Sequence, residues 1–184
     1  MVDARRVCLL PGYANSGPDH WQSRWEAADP MFVRVAMPDW ESAGLEAWRN
    51  TLDTVIAAAE EGPLLIAAHS LGCLATVFWA TRHATLEQLA KVAGVLFVAV
   101  PDPVKISFPS EEHGYSDVPL VALPFASVVV ASSDDPYCSI EFAARCAHGW
   151  GSRFVNIGPQ GHINGESGLG DWDEGLRLLA SLAD

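Results

Sequence analysis

Two rhythms of apolar residues alternate along this chain. Short, nearly continuous apolar segments recur at residues 6–10, 32–37, 64–68, 94–100, 127–131 and 153–157. The 64–68 run has the length and continuity of a strand buried on both faces, and the others read as strands of the same sheet. Between them the apolar positions fall three and four residues apart, as on helices that bury one face. Trp21 and Trp25 mark a helix over 18–28, and Leu45, Trp48, Leu52, Val55 and Ile56 mark one over 42–60. Leu74, Val77, Phe78 and Thr81 mark a third, and shorter helical stretches are predicted at 86–91 and 139–148. The last helix runs to Leu182 and opens on an expected capping box, with Asp171 as N-cap and Glu174 three residues on. Strand and helix alternate six times without an internal repeat or linker, which predicts a single α/β domain over residues 1–184. Its sheet should be open and mainly parallel, with helices on both faces.

Two segments break the rhythm. Residues 101–126 are punctuated by Pro101, Pro103, Pro109, Pro119 and Pro124, and residues 158–170 are rich in glycine. Long irregular segments in a compact domain are commonly functional, and both follow predicted strands.

The sharpest local signal is Ala68-His69-Ser70-Leu71-Gly72, where the 64–68 strand meets the third helix. A serine on a strand-to-helix turn, with small residues two positions to either side, has the pattern of a nucleophile elbow. Small residues are required because the turn is too tight for bulk beside its backbone.

A serine hydroxyl is a weak nucleophile at neutral pH and needs a base, which in turn needs an orienting acid. In sheet hydrolases with this elbow the chain order is serine, acid, histidine. Here Ser70 precedes the turn Asp134-Asp135-Pro136, and Gly161-His162 follows the last strand. All three positions fall at carboxyl ends of predicted strands, where open α/β sheets bind ligands. His162 is the expected base. Spacing does not separate Asp134 from Asp135. An oxyanion needs two backbone N–H donors. Leu71 is the expected first donor, and Tyr13 in the loop after the first strand the second, with Ala14 as the alternative. Gly12 would permit close backbone approach to the substrate. His20 and Trp40 are candidate pocket residues, with a helix start and the core as their plainer readings.

Composition narrows the function classes. Of 184 residues, 49% are hydrophobic and 18% charged, which marks a globular chain. A formal net charge of −12 argues against a nucleic-acid surface, which needs a basic patch. Cys8, Cys73, Cys138 and Cys146 lack zinc-site spacing and read as reduced thiols of a cytoplasmic protein. No signal-peptide pattern or membrane-length apolar run is expected. Neither a metal nor an organic cofactor is implied: Ser110-Glu111-Glu112-His113 has no ligand spacing, and Gly12 and Gly17 do not complete a dinucleotide fingerprint.

Several motifs in order carry a family resemblance. Leu9-Leu10-Pro11-Gly12, His20-Trp21-Gln22, Pro38-Asp39-Trp40, the elbow, Ser133-Asp134-Asp135-Pro136-Tyr137 and Gly161-His162 span nearly the whole chain. Together they resemble the small serine hydrolases of the retinoblastoma-binding-protein-9/YdeN type. The resemblance implies a three-layer α/β-hydrolase core with a six-stranded sheet and little or no lid. It also implies a Ser-His-Asp triad whose acid is the aspartate before the proline, Asp135. Where the common elbow begins with glycine, this one has Ala68. The expected activity is hydrolysis of a small acyl substrate, a carboxylic ester first and a thioester or amide second. Two rivals are an acyltransferase using the same residues and a protein-binding module on a hydrolase scaffold. A protein partner is not indicated by the sequence.

Overall fold

A computed structural model describes residues 6–59, 63–105 and 114–183. Six strands form one sheet: β1 (Val7–Leu10), β2 (Phe32–Arg34), β3 (Leu64–His69), β4 (Val92–Val98), β5 (Ala126–Ala131) and β6 (Arg153–Asn156). Every pairing is parallel, and the order is β2-β1-β3-β4-β5-β6. The helices are α1 (Trp21–Ala28), α2 (Leu45–Ala57), α3 (Leu71–Arg82), α4 (Leu86–Ala90), α5 (Ile140–Trp150) and α6 (Asp173–Ala180).

The period-two geometry of strands sorts the core into two layers. Leu10, Ile66, Ala68, Phe97 and Val129 face one side, packed against Trp48, Leu52, Leu74, Phe78 and Trp150 of α2, α3 and α5. Leu9, Leu65, Ala67, Leu96 and Val130 face the other, packed against Trp21 and Trp25 of α1 and Leu178 and Leu179 of α6. This is the three-layer α/β-hydrolase architecture. Among the described residues no helix or strand lies between β4 and β5, where a lid would be inserted. No helix among them is long and apolar enough to cross a membrane.

The strand order sets the place of the site. Successive crossovers run outward in opposite directions from β1 and β3, so the chain diverges between their carboxyl ends. At such a switch point the loops open a crevice. The loop holding Gly12 and the turn holding Ser70 meet there.

Several boundaries differ from the sequence expectation. Helix α1 begins at Trp21 rather than at residue 18, because His20 caps it by accepting from the Gln22 amide through Nδ1. Strand β2 ends at Arg34 and β4 at Val98, where Ala99 turns to φ 53°. The expected capping box of α6 does not form: Trp172 is the N-cap, with φ 45° and no side-chain cap bond. Asp171 is engaged elsewhere, its carbonyl accepting from Trp25 Nε1 at 2.7 Å and its carboxylate from Arg24 Nη1 at 3.1 Å. The stretch Ser110 to His113 lies outside the described residues. The described part of the proline-rich segment after Gly114 is tied to α3 by Arg82, which donates to Asp117, and to the residues before α2 and in α5. Tyr115 donates its hydroxyl to the Ala43 carbonyl, and Trp150 Nε1 donates to Pro119.

Candidate active site

The elbow is built by packing. All six residues of β3 are buried, with Ala68 between Leu10 of β1 and Phe97 of β4. Every residue from Leu71 to Ala80 of α3 is buried as well. The link between them must reverse within one residue, and Ser70 does so at φ 52°, ψ −124°. A non-glycine residue at such angles costs about 1–3 kcal/mol and persists only where its surroundings over-determine it. Here the Ser70 amide donates to the Val98 carbonyl at 2.9 Å, and the Cys73 amide donates to the Ser70 carbonyl at 2.9 Å. Gly72 is needed for the crossing: a Cβ there would stand 2.5 Å from the Leu10 carbonyl and 2.6 Å from that of Pro11. The methyl of Ala68, where the common elbow has glycine, is wholly buried in the core on the α3 side.

Ser70, His162 and Asp135 come together in one hydrogen-bonded chain. His162 Nε2 lies 2.8 Å from Ser70 Oγ. On its other side, His162 Nδ1 lies 3.0 and 2.9 Å from the two carboxylate oxygens of Asp135. The Asp135 carboxylate is only 2% exposed and also accepts from the Tyr137 amide at 2.9 Å. Asp134 points elsewhere. Its Oδ1 accepts from Ser132 Oγ at 2.8 Å and from the Gly161 amide at 2.7 Å. Those two hydrogen bonds, Ser132 first, hold its exposed carboxyl below the usual range.

Leu71 is the first residue of α3, so its N–H has no intrahelical acceptor. Gly12 stands directly against it: a Cβ on Gly12 would lie 3.2 Å from the Leu71 nitrogen and 2.7 Å from Ser70 Cβ. Tyr13, half exposed, follows in the same loop. The alternative donor, Ala14, gives its amide to the Trp40 carbonyl at 3.0 Å instead. Trp40 thereby braces the loop through its backbone, while its ring packs edge-on against Trp48 at 5.7 Å.

Two cavities lie along the loop that carries His162; only the first is lined by His162 itself, and neither by Ser70. One, of about 340 Å³, is lined by residues including Pro136, Tyr137, Pro159, Gln160, His162 and Glu166. The other, of about 470 Å³, includes Asn15, Asp19, His20, Asn164 and Glu166. Trp40 lines neither, nor does the described part of residues 101–126. His20 is 4% exposed, and its Nε2 has no hydrogen-bond partner. Burial first, then the Arg34 and His162 charges, lower its pKa to about 3.

Three further side chains contact the His162 segment. His69 Nε2 lies 2.9 Å from the His162 carbonyl, and burial holds its imidazole well below the usual range. Trp21 Nε1 donates to the Ile163 carbonyl at 3.0 Å. Tyr137 packs edge-on against the His162 ring at 4.7 Å. No local pattern signals the first two; the contacts span 93 and 142 residues.

This sheet, with a strained serine where β3 meets α3, defines an α/β-hydrolase. The serine hydrolase family model matches residues 7–181, and the chain belongs to that family. It is similar to a YdeN-like hydrolase from Pectobacterium atrosepticum, at 29% identity and TM-score 0.83, covering 97% of this chain and 90% of that one. The ydeN gene product of B. subtilis superposes at TM-score 0.72 with 21% identity, covering 97% and 98% of the two chains. An esterase from Rhodococcus sp. shares the fold at TM-score 0.66 and 14% identity, covering 97% and 92%. No curated protein matches the sequence.

Proposed function

We propose that this serine hydrolase cleaves small carboxylic esters through an acyl-enzyme on Ser70. The carrying observation is the unbroken relay from Ser70 Oγ through His162 to Asp135. His162 Nε2 accepts the hydroxyl proton as Oγ attacks the acyl carbon, and Asp135 stabilises the imidazolium that forms. The carbonyl oxygen becomes an oxyanion, with the Leu71 and Tyr13 amides as its donors. Collapse of the tetrahedral intermediate breaks the ester C–O bond, and His162 returns its proton to the leaving alkoxide. Water, deprotonated by His162, then releases the acid and restores Ser70. Gly12 lets the loop that carries Tyr13 pack directly against the Ser70–Leu71 turn, where a Cβ would clash, and His20 lines a cavity beside Asn164. The cavity that His162 and Tyr137 line has a volume of about 340 Å³, at the small end for ligand sites, which suits short acyl groups.

Hydrolysis of p-nitrophenyl esters of increasing acyl length tests this reading. Rates should fall with chain length. Asp135→Asn should lower kcat by about 10³- to 10⁴-fold, as for a triad base left in the wrong tautomer. Asp134→Asn, which keeps an acceptor oxygen, should stay within a few-fold of the parent. Equal losses in the two variants would overturn the choice of acid.

A further inference from the structure

We infer that His69 and Asp134 are positioning residues that fix the His162 imidazole by gripping the backbone on either side of it. The inference rests on the proposed roles of Ser70, His162 and Asp135. His162 sits in a segment with no strand or helix between Ile157 and Asn164. Gly158, Gly161 and Ile163 all have positive φ there, at 79°, 57° and 49°. No ladder holds this backbone, yet an effective base must stay within about 0.5 Å of its working position.

Main-chain bonds run from Ser133 N–H to the Gly158 carbonyl and from Ile163 N–H to the Gln160 carbonyl, and the restraint next to His162 itself comes from side chains. Gly161 N–H donates to Asp134 Oδ1 at 2.7 Å, a bond strengthened by the carboxylate charge. Ser132 Oγ donates to that same oxygen and accepts from the Gln160 amide at 2.9 Å, extending the grip by one residue. On the far side the His162 carbonyl, which can only accept, lies 2.9 Å from His69 Nε2. The proton of His69 must therefore sit on Nε2. Its ring is wedged between those of His20, at 4.6 Å, and His162, at 4.9 Å. Kept neutral by burial, it brings a donor and no charge beside the imidazolium that forms during turnover.

The arrangement has a simple logic along the chain. Ser70 and Asp135 hold the imidazole, and the residue immediately before each of them holds the main chain that bears it. The base is thereby tied to the same two strand ends as its partners. Movement of one strand end carries the base with it.

The test compares two pairs of variants on p-nitrophenyl acetate. His69→Phe keeps a ring but loses the donor, whereas His69→Gln keeps an N–H at similar reach. Asp134→Ala loses the acceptor, whereas Asp134→Asn keeps one. The Phe and Ala variants should lose about 10- to 100-fold in kcat, the cost of a base displaced by up to an ångström, with KM nearly unchanged. The Gln and Asn variants should recover most of that loss. If the Phe and Ala variants keep parental kcat, or the conservative variants fall as far, positioning by that residue is refuted. Asp134 is exposed, so its pair decides if near-ultraviolet circular dichroism shows that His69→Phe has lost its fold. Fluorophosphonate labelling of the parent separates the two levels. An unlabelled parent overturns the catalytic reading itself; a labelled parent with unaffected variants overturns only the positioning roles.

Discussion

The elbow and the histidine loop reach the same point in space by different physical means. Ser70 is held by what surrounds its backbone: a fully buried strand, a helix buried over its first ten residues, and neighbouring strands on both sides. Its strained angles are the outcome of that packing. His162 has no such frame. It is held by hydrogen bonds from side chains of three other segments, namely His69, Asp134 with Ser132, and Trp21. One half of the site is set by volume and the other by donors and acceptors. The two should fail differently when perturbed.

Paired glycine substitutions test that contrast most strongly. Gly72→Ala forces a methyl onto two backbone carbonyls that cannot swing aside. It should cost about 3 kcal/mol, the upper range for overpacking, despite alanine's better helix propensity. Gly161→Ala meets nothing nearer than Ser167 Oγ at 4.0 Å, so only its φ of 57° opposes the change. It should cost about 1 kcal/mol, the penalty for a left-handed alanine. Urea denaturation measures both, and equal losses would erase the distinction between a packed elbow and an open loop.

A smaller effect concerns the histidine that caps α1 beside the loop. His20 has a folded-state pKa of about 3 against an ordinary 6.5, so the unfolded chain takes up its proton first as pH falls. Stability is therefore lost as pH drops below 6.5, and the loss grows until pH 3. From pH 7 to pH 5.5 this group should remove about 1 kcal/mol. The buried His69 adds to the loss in the same direction. His20→Asn can keep the cap without the titration and should flatten the acid slope by that amount in urea midpoints at the two pH values. An unchanged slope would mean that His20 is not held neutral.

The same contrast explains what was legible in the sequence. Ser70 and its elbow show as a burst of continuous apolar residues broken at His69-Ser70, because packing leaves a pattern in composition. The strand–helix alternation and the strand-end placement of Asp135 and His162 are legible for the same reason. Asp134 and Asp135 are adjacent and spacing does not separate them; the family resemblance points to Asp135, and the hydrogen bonds distinguish the two, one reaching the Gly161 amide and the other the imidazole. The bond from His69 to the His162 carbonyl crosses 93 residues and has no period. Asp171 misled in the same way, since its capping pattern is local while its real partners, Arg24 and Trp25, lie on another helix. The loop position of Ala14 suits an oxyanion donor, and the Trp40 carbonyl that claims its amide is not legible from that loop alone.

The central claim is that Ser70 is a nucleophile activated by His162. The most direct measurement is intact-protein and peptide mass spectrometry after reaction with a fluorophosphonate. One adduct is expected, on the peptide containing Ser70, absent from Ser70→Ala and strongly slowed in His162→Ala. A parent protein left unmodified where a control serine hydrolase reacts, or an adduct that survives Ser70→Ala, would contradict it.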